Sequence, residues 1–443
     1  MGKFKRGSLN PPAQPPAVVD GGNNPPPASC LIDRVAYIAD VTNASTATCN
    51  TTDNTDNHGV TIQVTFVVGD PPQVSYLCAH CIGSQFAYEP VIVATEGRLA
   101  LLAIDIGRSC SGRGRKHYIY YAGDTSRGMD PSLKRLPDPD PAPQSLHRFY
   151  DGYHLSLLLR PRPQSQPQLQ GGVFLRPHCS YRAQEEEHVS YVVAGLFRKH
   201  KPSATGHLFD LYLYSSDTTK WSIQDQEAPL LLLQHQQQRA GAGGGFDFVT
   251  HKAISIGREH ATMCFVDLQQ GILQCNVLDS TPGLRYYPMP PPLEPNPVTM
   301  VQSPTATWSM DTAHPSSGWR QDSEVVHAFE IGSTIDPALL QLPLHEFDGD
   351  QGPTLPLTFE KLHTSLPVIS LHDDGKDVVY FMTKVHSYHK AALVIAVDMS
   401  NKTAQQVTQF LPGKFMERAF VHSRISKYLS MAPTPAPDIP VLN

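Results

Sequence analysis

The residues in this chain that could do chemistry fall into a few short clusters. Cys78, His80 and Cys81 form CAHC, a C-x-x-C with a histidine inside it. Thiolates and imidazoles are the usual ligands of a structural zinc ion, but such a site needs four ligands, normally a second pair at a related spacing. No second C-x-x-C occurs, and nothing in the spacing requires Cys110 or the His178–Cys179 pair to complete the set. A redox C-x-x-C belongs at the start of a helix, whereas this one ends a β-like run. Buried thiols at a strand end are therefore the expected role, with Cys78, His80 and Cys81 as weak metal candidates.

Carboxylates form the next group. Asp267 sits between apolar neighbours in FVDLQQGILQCNVLD, 265–279, and Asp279 closes that stretch. Asp267 could be an acid, a base or a ligand. An Asp just before a turn also accepts a backbone N–H two residues on, and Gly271 is placed to supply the positive φ that closes a three-residue hairpin loop. AVDMSNKTA, 396–404, aligns with FVDLQQGIL so that Asp398 falls on Asp267, each followed by a three-residue turn. A catalytic acid has no reason to recur this way, so Asp267, Gly271 and Asp398 are read as turn landmarks. HEFDGD at 345–350 and LHDDGKD at 371–377 lack the alternate-position ligands and terminal Glu of a calcium loop, and are read as turns.

Other motifs fail on detail. GRSCSGRGRKH, 107–117, has His117 where a dinucleotide fingerprint needs its third glycine. In GDTSRG, 123–128, Ser126 lies one residue late for a nucleophile elbow. There is no phosphate loop, and no histidine pair with H-E-x-x-H spacing among 20 histidines. The expected protein has no catalytic residues, no cofactor and no metal.

The elements that would position these residues are strands. GVTIQVTFVV, 59–68, places Val60, Ile62, Val64, Phe66 and Val68 on one face and Thr61, Gln63 and Thr65 on the other. That is the period of a half-buried strand. Similar runs recur at PVIVAT, RLALLAIDI, KHYIYYAG, YHLSLLLR, VSYVVAGLFRK, HLFDLYLYSS, KWSI, ATMCFVDL, ILQCNVLD, EVVHAFEI, DVVYFMTKV and AALVIAVDM. FMERAFVHSRISKYLSM, near the C-terminus, is the best helical candidate, as one short helix or an irregular segment. Proline accounts for 40 of 443 residues, concentrated in loops such as LPDPDPAP at 136–143 and PMPPPLEPNP at 288–297. An all-β chain follows. The Asp267 and Asp398 copies are separated by close to three times the roughly 40–50-residue period of propeller blades. A looser copy, LFDLYLYSSDTTKWSI, has Trp221 opening the strand after its turn. The predicted architecture is a propeller-like array of short antiparallel sheets. It runs from a disordered Pro-rich leader at 1–29, through one domain at 30–430, to a flexible tail at 431–443.

Bulk properties narrow the partners. The formal net charge is −6, from 41 acids and 35 bases, with a pI near 6.4. A nucleic-acid binder would usually show a basic patch or stripe and a high pI, so no nucleic-acid partner is expected. No apolar run approaches the length of a membrane span, and no signal-peptide h-region opens the chain. A cytoplasmic or nuclear protein with reduced thiols is expected, with Lys3, Lys5 and Arg6 as a possible aid to nuclear entry. The sequons at Asn43, Asn50 and Asn401 are then chance matches. Long Pro-rich loops favour protein partners over a preorganised catalytic shell.

FVDLQQGILQCNVLD followed by LRYYPMPPPLEP, 284–295, resembles the core signature of a grass-expanded plant family, domain of unknown function 1618, with that core at about 262–375. The family reads Trp-Val-Asp-Leu-Trp-Arg-Gly-Ile-Leu there. This chain departs at Phe265, and at Gln269 and Gln270, all on strand or turn surface. DRVAYIAD, VTFVVGDPPQVSYLCAHC and LPVISLHDDGKDVVYFMTKV extend the resemblance over most of 30–430. It implies no enzyme, cofactor or site. YSSDTTKW is also similar to kelch and F-box-associated blades, a weaker likeness. The expected function is a non-catalytic interaction scaffold. The alternatives are an F-box-associated-like receptor without an evident F-box, and a ligand-binding or enzymatic propeller using its central channel.

Overall fold

The structure, a computed structural model, describes residues 11–12, 26–52, 58–107, 115–123, 128–143, 154–160, 190–199, 208–229, 232, 248–256, 261–290, 305–306, 308–309, 318–322, 324–331, 334–335, 357–364, 367–370, 377–384, 392–410 and 420–429. The expectations for the leader beyond Pro11–Pro12 and Pro26–Ser29, for Cys110, Ser126, His178, Cys179, HEFDGD and the tail lie outside these residues. So does most of GRSCSGRGRKH and LHDDGKD.

The described chain is all-β, in several small antiparallel sheets. Contacts gather it into two compact units. One holds 1–136, 146–152 and 288–443; the other holds 137–145 and 153–287. The sequence predicts a single domain over 30–430. The unit borders at Leu136/Pro137 and Tyr287/Pro288 fall in two of the proline-rich segments, where missing N–H donors and fixed φ interrupt the ladders.

In the first unit, one sheet runs in the order Val421–Ser423, Cys30–Ile32, Val74–Ile82, Gly59–Val67, Ala47–Thr52, with Tyr37–Ile38 also paired to Val74–Ile82. Cys30–Ile32 is parallel to Val74–Ile82 and antiparallel to Val421–Ser423, so strands nearly 400 residues apart in sequence are paired. A four-stranded meander follows: Phe86–Glu96, Leu99–Ile106, Lys116–Tyr121 and Ser132–Arg135. Ile62, Val64 and Phe66 from the first sheet pack with Leu102, Tyr118 and Tyr120 from the meander in one apolar core. Burying a side chain such as Phe66 there contributes about 2–3 kcal/mol. The face assignment from alternation holds at Val60, Ile62, Val64 and Phe66. Thr65, expected on the polar face, is also buried, because its hydroxyl donates to Val41 O at 2.6 Å under the preceding loop.

Another sheet of this unit pairs His363–Thr364, Val378–Lys384, Ala392–Asp398 and Thr403–Phe410, with Val368–Ile369 at its side. Its central strands are apolar on both faces. Tyr380, Met382, Val394 and Ala396 pack with Leu31 and Val74, while Val379, Phe381, Leu393 and Ile395 pack with Phe359 and Leu362.

The second unit holds two meanders: Leu155–Leu159, Tyr191–Arg198, Phe209–Ser215, Lys220–Gln226; and Lys252–Ile256, Thr262–Asp267, Gly271–Asn276, Leu284–Pro288. Leu158, Ala194 and Leu211 of the former share a core with Met263, Phe265 and Leu273 of the latter.

Two element assignments change. EVVHAFEI is not a strand. Val326 forms an isolated bridge to Thr305, and Ala328–Glu330 winds into a 3-10 turn. The Glu330 carboxylate accepts the His327 N–H at 2.8 Å, a local bond that competes with strand pairing. Within the C-terminal helical candidate, the described part is the strand Val421–Ser423 and a 3-10 turn, Ile425–Tyr428. Pairing with Cys30–Ile32 overrides local propensity, and Ile425 and Leu429 are buried from the turn. Among the described residues, no helix is long and apolar enough to cross a membrane.

Candidate functional site

The hairpin around Asp267 has the densest polar wiring of the sequence-predicted positions. Thr262–Asp267 is buried along its whole length, with Met263 and Phe265 in the core, so Phe265, expected on the strand surface, is instead a core residue packed against Leu273 and the neighbouring sheet. Asp267 faces Gly271 across the strand pair, leaving Leu268, Gln269 and Gln270 as the loop. The Asp267 carboxylate is only 2% exposed. Its Oδ1 accepts the amides of Gln269 at 2.9 Å and Gln270 at 3.1 Å, and its Oδ2 accepts the amide of Val249 at 2.7 Å. His251 sits beside it, with Nδ1 3.7 Å from Oδ1 and accepting the Leu268 amide at 3.4 Å. Tyr286 donates its hydroxyl to Gln270 O at 2.6 Å, holding the loop from the next strand. These bonds commit the carboxylate to shaping the backbone.

Gly271 adopts φ +151°, and a Cβ on it would lie 2.4 Å from Tyr287 O and 2.6 Å from Tyr286 Cε2. Close backbone approach therefore requires glycine here as much as the loop conformation does. Beside the loop, Leu268 is 51% exposed.

Asp398 is also buried, and it also serves a turn. Its Oδ1 accepts the Asn401 amide at 3.0 Å, and its Oδ2 accepts Asn401 Nδ2 at 2.9 Å and Gln405 Nε2 at 3.0 Å. The loop differs from the expected three-residue copy. Asp398 pairs with Thr403, so four residues intervene, and Lys402 takes the left-handed conformation at φ 52°. Its closer match is the hairpin opened by Ser215 and closed by Lys220, where Thr219 sits at φ 54°. Trp221 follows there, paired with Tyr214 across the strands and donating its indole N–H to Pro137 O at 2.7 Å.

CAHC lies on the strand Val74–Ile82. Cys78 and Cys81 are three residues apart, so their side chains leave opposite faces of the sheet. Cys78 is buried with Tyr37, Val67 and Tyr76, while Cys81 packs against the core on the other side. The pair cannot close on one ion. His80 Nδ1 lies 3.5 Å from Asp40 Oδ1. Among the described residues, no group of three or more His, Cys, Asp or Glu side chains could hold a metal ion. Burial pushes the Cys264 and Cys275 thiols up to about 12 and the Cys30 thiol up to about 11, far from the thiolate form a nucleophile needs.

One polar cluster escaped sequence reading. Asp210 and Asp225 face each other directly across neighbouring strands, an unfavourable pairing for like charges. Lys199, just past the end of the neighbouring strand Tyr191–Arg198, reaches Asp225 at 2.7 Å and Asp210 at 3.1 Å and offsets it. The only available signal was Asp210 inside an otherwise apolar strand, FDLYLYS.

No family model, curated protein or solved structure matches the chain.

Proposed function

We propose that this chain is a non-catalytic protein-interaction scaffold of propeller-like build, in keeping with its resemblance to the plant domain of unknown function 1618 family. Three sheets built as consecutive four-stranded meanders, and a first sheet that pairs Cys30–Ile32 with Val421–Ser423, support the propeller-like arrangement.

The observation that carries the interaction reading is Leu268. It is a large apolar side chain, 51% exposed, on a loop whose backbone is fixed by Asp267 from one side and Tyr286 from the other. A rigidly held apolar side chain loses little conformational entropy on binding, the condition for an interface anchor. The two glutamines that follow it, standing where the family reads Trp-Arg, would give the loop a partner preference of its own.

The test compares the wild-type chain with Leu268→Asp in proximity labelling and in affinity capture from the source tissue. A partner recovered at least tenfold less with Leu268→Asp, at unchanged melting temperature, supports the scaffold. Identical recovery profiles for the two chains would remove this hairpin from the proposal.

A further inference from the structure

At one end of the second unit's first meander, a row of donors lacks acceptors. Leu158 pairs with Val192, Val192 with Ser215, and Ser215 with Lys220 across the four strands. Two bonds carry this register one step further. The Arg160 amide donates to Ser190 O at 2.9 Å, and the Ser216 amide donates to Tyr191 O at 3.0 Å. Arg160, Ser190 and Asp217 therefore stand side by side, on the face that also carries Leu158, Val192, Ser215 and Lys220. Arg160 Nη1 donates to Asp217 Oδ2 at 2.5 Å, so an ion pair spans the position of Ser190. Arg160 Nε and the hydroxyl oxygens of Ser190 and Ser215 are buried, and among the described residues none of the three has a hydrogen-bond partner.

A buried polar atom without a partner is uncommon and costs free energy. Three of them at neighbouring positions on one face call for one cause. Each can donate a hydrogen, so a single acceptor with several oxygens would satisfy all three. The charges beside them make that acceptor an anion. Arginine takes phosphate through two parallel N–H groups, and Asp217 engages Nη1, which leaves the guanidinium edge bearing Nε for such a fork. Lys220, exposed and paired with Ser215, adds a second positive charge. A carboxylate offers this set two oxygens, whereas a phosphate monoester offers three. The Arg160 and Asp217 side chains are 33% and 42% exposed, so their ion pair closes the row on its solvent side. So exposed a pair holds weakly, and opening it costs little.

We propose that Arg160, Ser190, Ser215 and Lys220 form a binding site for a phosphate group, with the Asp217 carboxylate holding the arginine until the ligand arrives. Phosphate binding swings Asp217 aside, and the ligand oxygens accept from Arg160 Nε and the two serine hydroxyls. The proposal is independent of the Leu268 hairpin.

The test is isothermal titration of full-length chains at low ionic strength. The probes are inorganic phosphate and the peptide Gly-Gly-Ser-Gly-Gly with and without phosphate on its serine. Asp217→Asn removes the competing charge and should bind phosphate about tenfold more tightly than wild type. In that background Arg160→Met should abolish binding, and Ser190→Ala should weaken it about tenfold, the worth of one hydrogen bond to a charged acceptor. Thermal melts check the fold. Without phosphate, Ser190→Ala should leave the melting temperature no lower, because it deletes a hydroxyl that has no partner. Tighter binding of the phosphopeptide than of inorganic phosphate supports a site for a modified protein, and equal binding supports one for free phosphate. Three results each overturn the proposal: no binding of phosphate to the Asp217→Asn chain, equal binding of the peptide with and without its phosphate, or unchanged phosphate affinity in the Ser190→Ala chain.

Discussion

The Oδ2 atom of Asp267 accepts the backbone amide of Val249 from 2.7 Å, tying the hairpin loop to the segment that enters the sheet on its far side. Asp267 thus bridges two pieces of backbone, with the Gln269 and Gln270 amides on its other oxygen. Asp267→Asn keeps one acceptor and turns the other into a donor that faces an N–H. It should lower stability by about 1 kcal/mol, as for other lost local caps. Asp267→Ala, which removes both acceptors, should cost about 2–3 kcal/mol. Urea midpoints of the two variants check the order. Loss of a measurable activity in a fully folded Asp267→Asn chain would show that the carboxylate does chemistry after all.

Gly271 tests the same hairpin from its other side. The atom that an added Cβ would strike first, Tyr287 O at 2.4 Å, is backbone and cannot swing away. Gly271→Ala should therefore cost about 2–3 kcal/mol. Gly283, in the loop between Gly271–Asn276 and Leu284–Pro288, has open space around the corresponding position. Gly283→Ala should change stability by no more than about 0.5 kcal/mol. Equal melting temperatures for the two variants would contradict the packing described at Gly271.

Much of this wiring could not be seen in the sequence, and the reason is range. The face pattern of Val60, Ile62, Val64 and Phe66 was legible because a strand's period is written in adjacent residues. The cap from Asp267 to Gln269 and Gln270 was legible for the same reason. Its bond to Val249 depends on how two strands pair, and its neighbour His251 comes with that pairing. Lys199 meets Asp210 and Asp225 only through a three-strand register. The left-handed Lys402 lengthens the Asp398 loop without any glycine or asparagine at that position to announce it. EVVHAFEI misled because its apolar residues resemble a strand, while the side chain that decides its conformation is Glu330.

The Lys199 cluster yields a pH-dependent prediction. Burial on its own would pull the Lys199 ammonium down, but hydrogen bonds to Asp225 and Asp210 outweigh it and hold the group above its usual 10.5. A cation whose folded pKa is raised contributes its full stabilisation below the unfolded value and loses it as pH rises through the folded value. Burial raises Asp210, with Lys199 opposing that shift, so ionised Asp210 depends on the lysine. Lys199→Met should cost about 1–2 kcal/mol at pH 7, discounted for the half-exposed Asp225. The gap to wild type should narrow towards pH 4, where the acids begin to protonate, and again above about pH 10.5, where the lysine loses its charge. Urea titrations of both chains across this range provide the check, and a gap that does not vary with pH would mean that Lys199 contributes packing alone.

Thr219 supplies the last prediction, in the opposite direction. It occupies the left-handed region at φ 54°, in the loop between Ser215 and Lys220. A β-branched residue is a true outlier there, because its second γ substituent crowds the backbone. The position is exposed, so no core packing offsets the strain. Its amide bonds Ser215 O at 2.8 Å, a contact any residue with an N–H would keep, while its hydroxyl donates to the adjacent Thr218 O at 2.8 Å. Asn tolerates this conformation without the added unfolded-state entropy of glycine. Thr219→Asn should therefore stabilise the chain by about 0.5–1 kcal/mol, read as a higher urea midpoint at unchanged slope. A lower midpoint would mean that the Thr219 hydroxyl contributes more to this hairpin than the strain of its backbone removes.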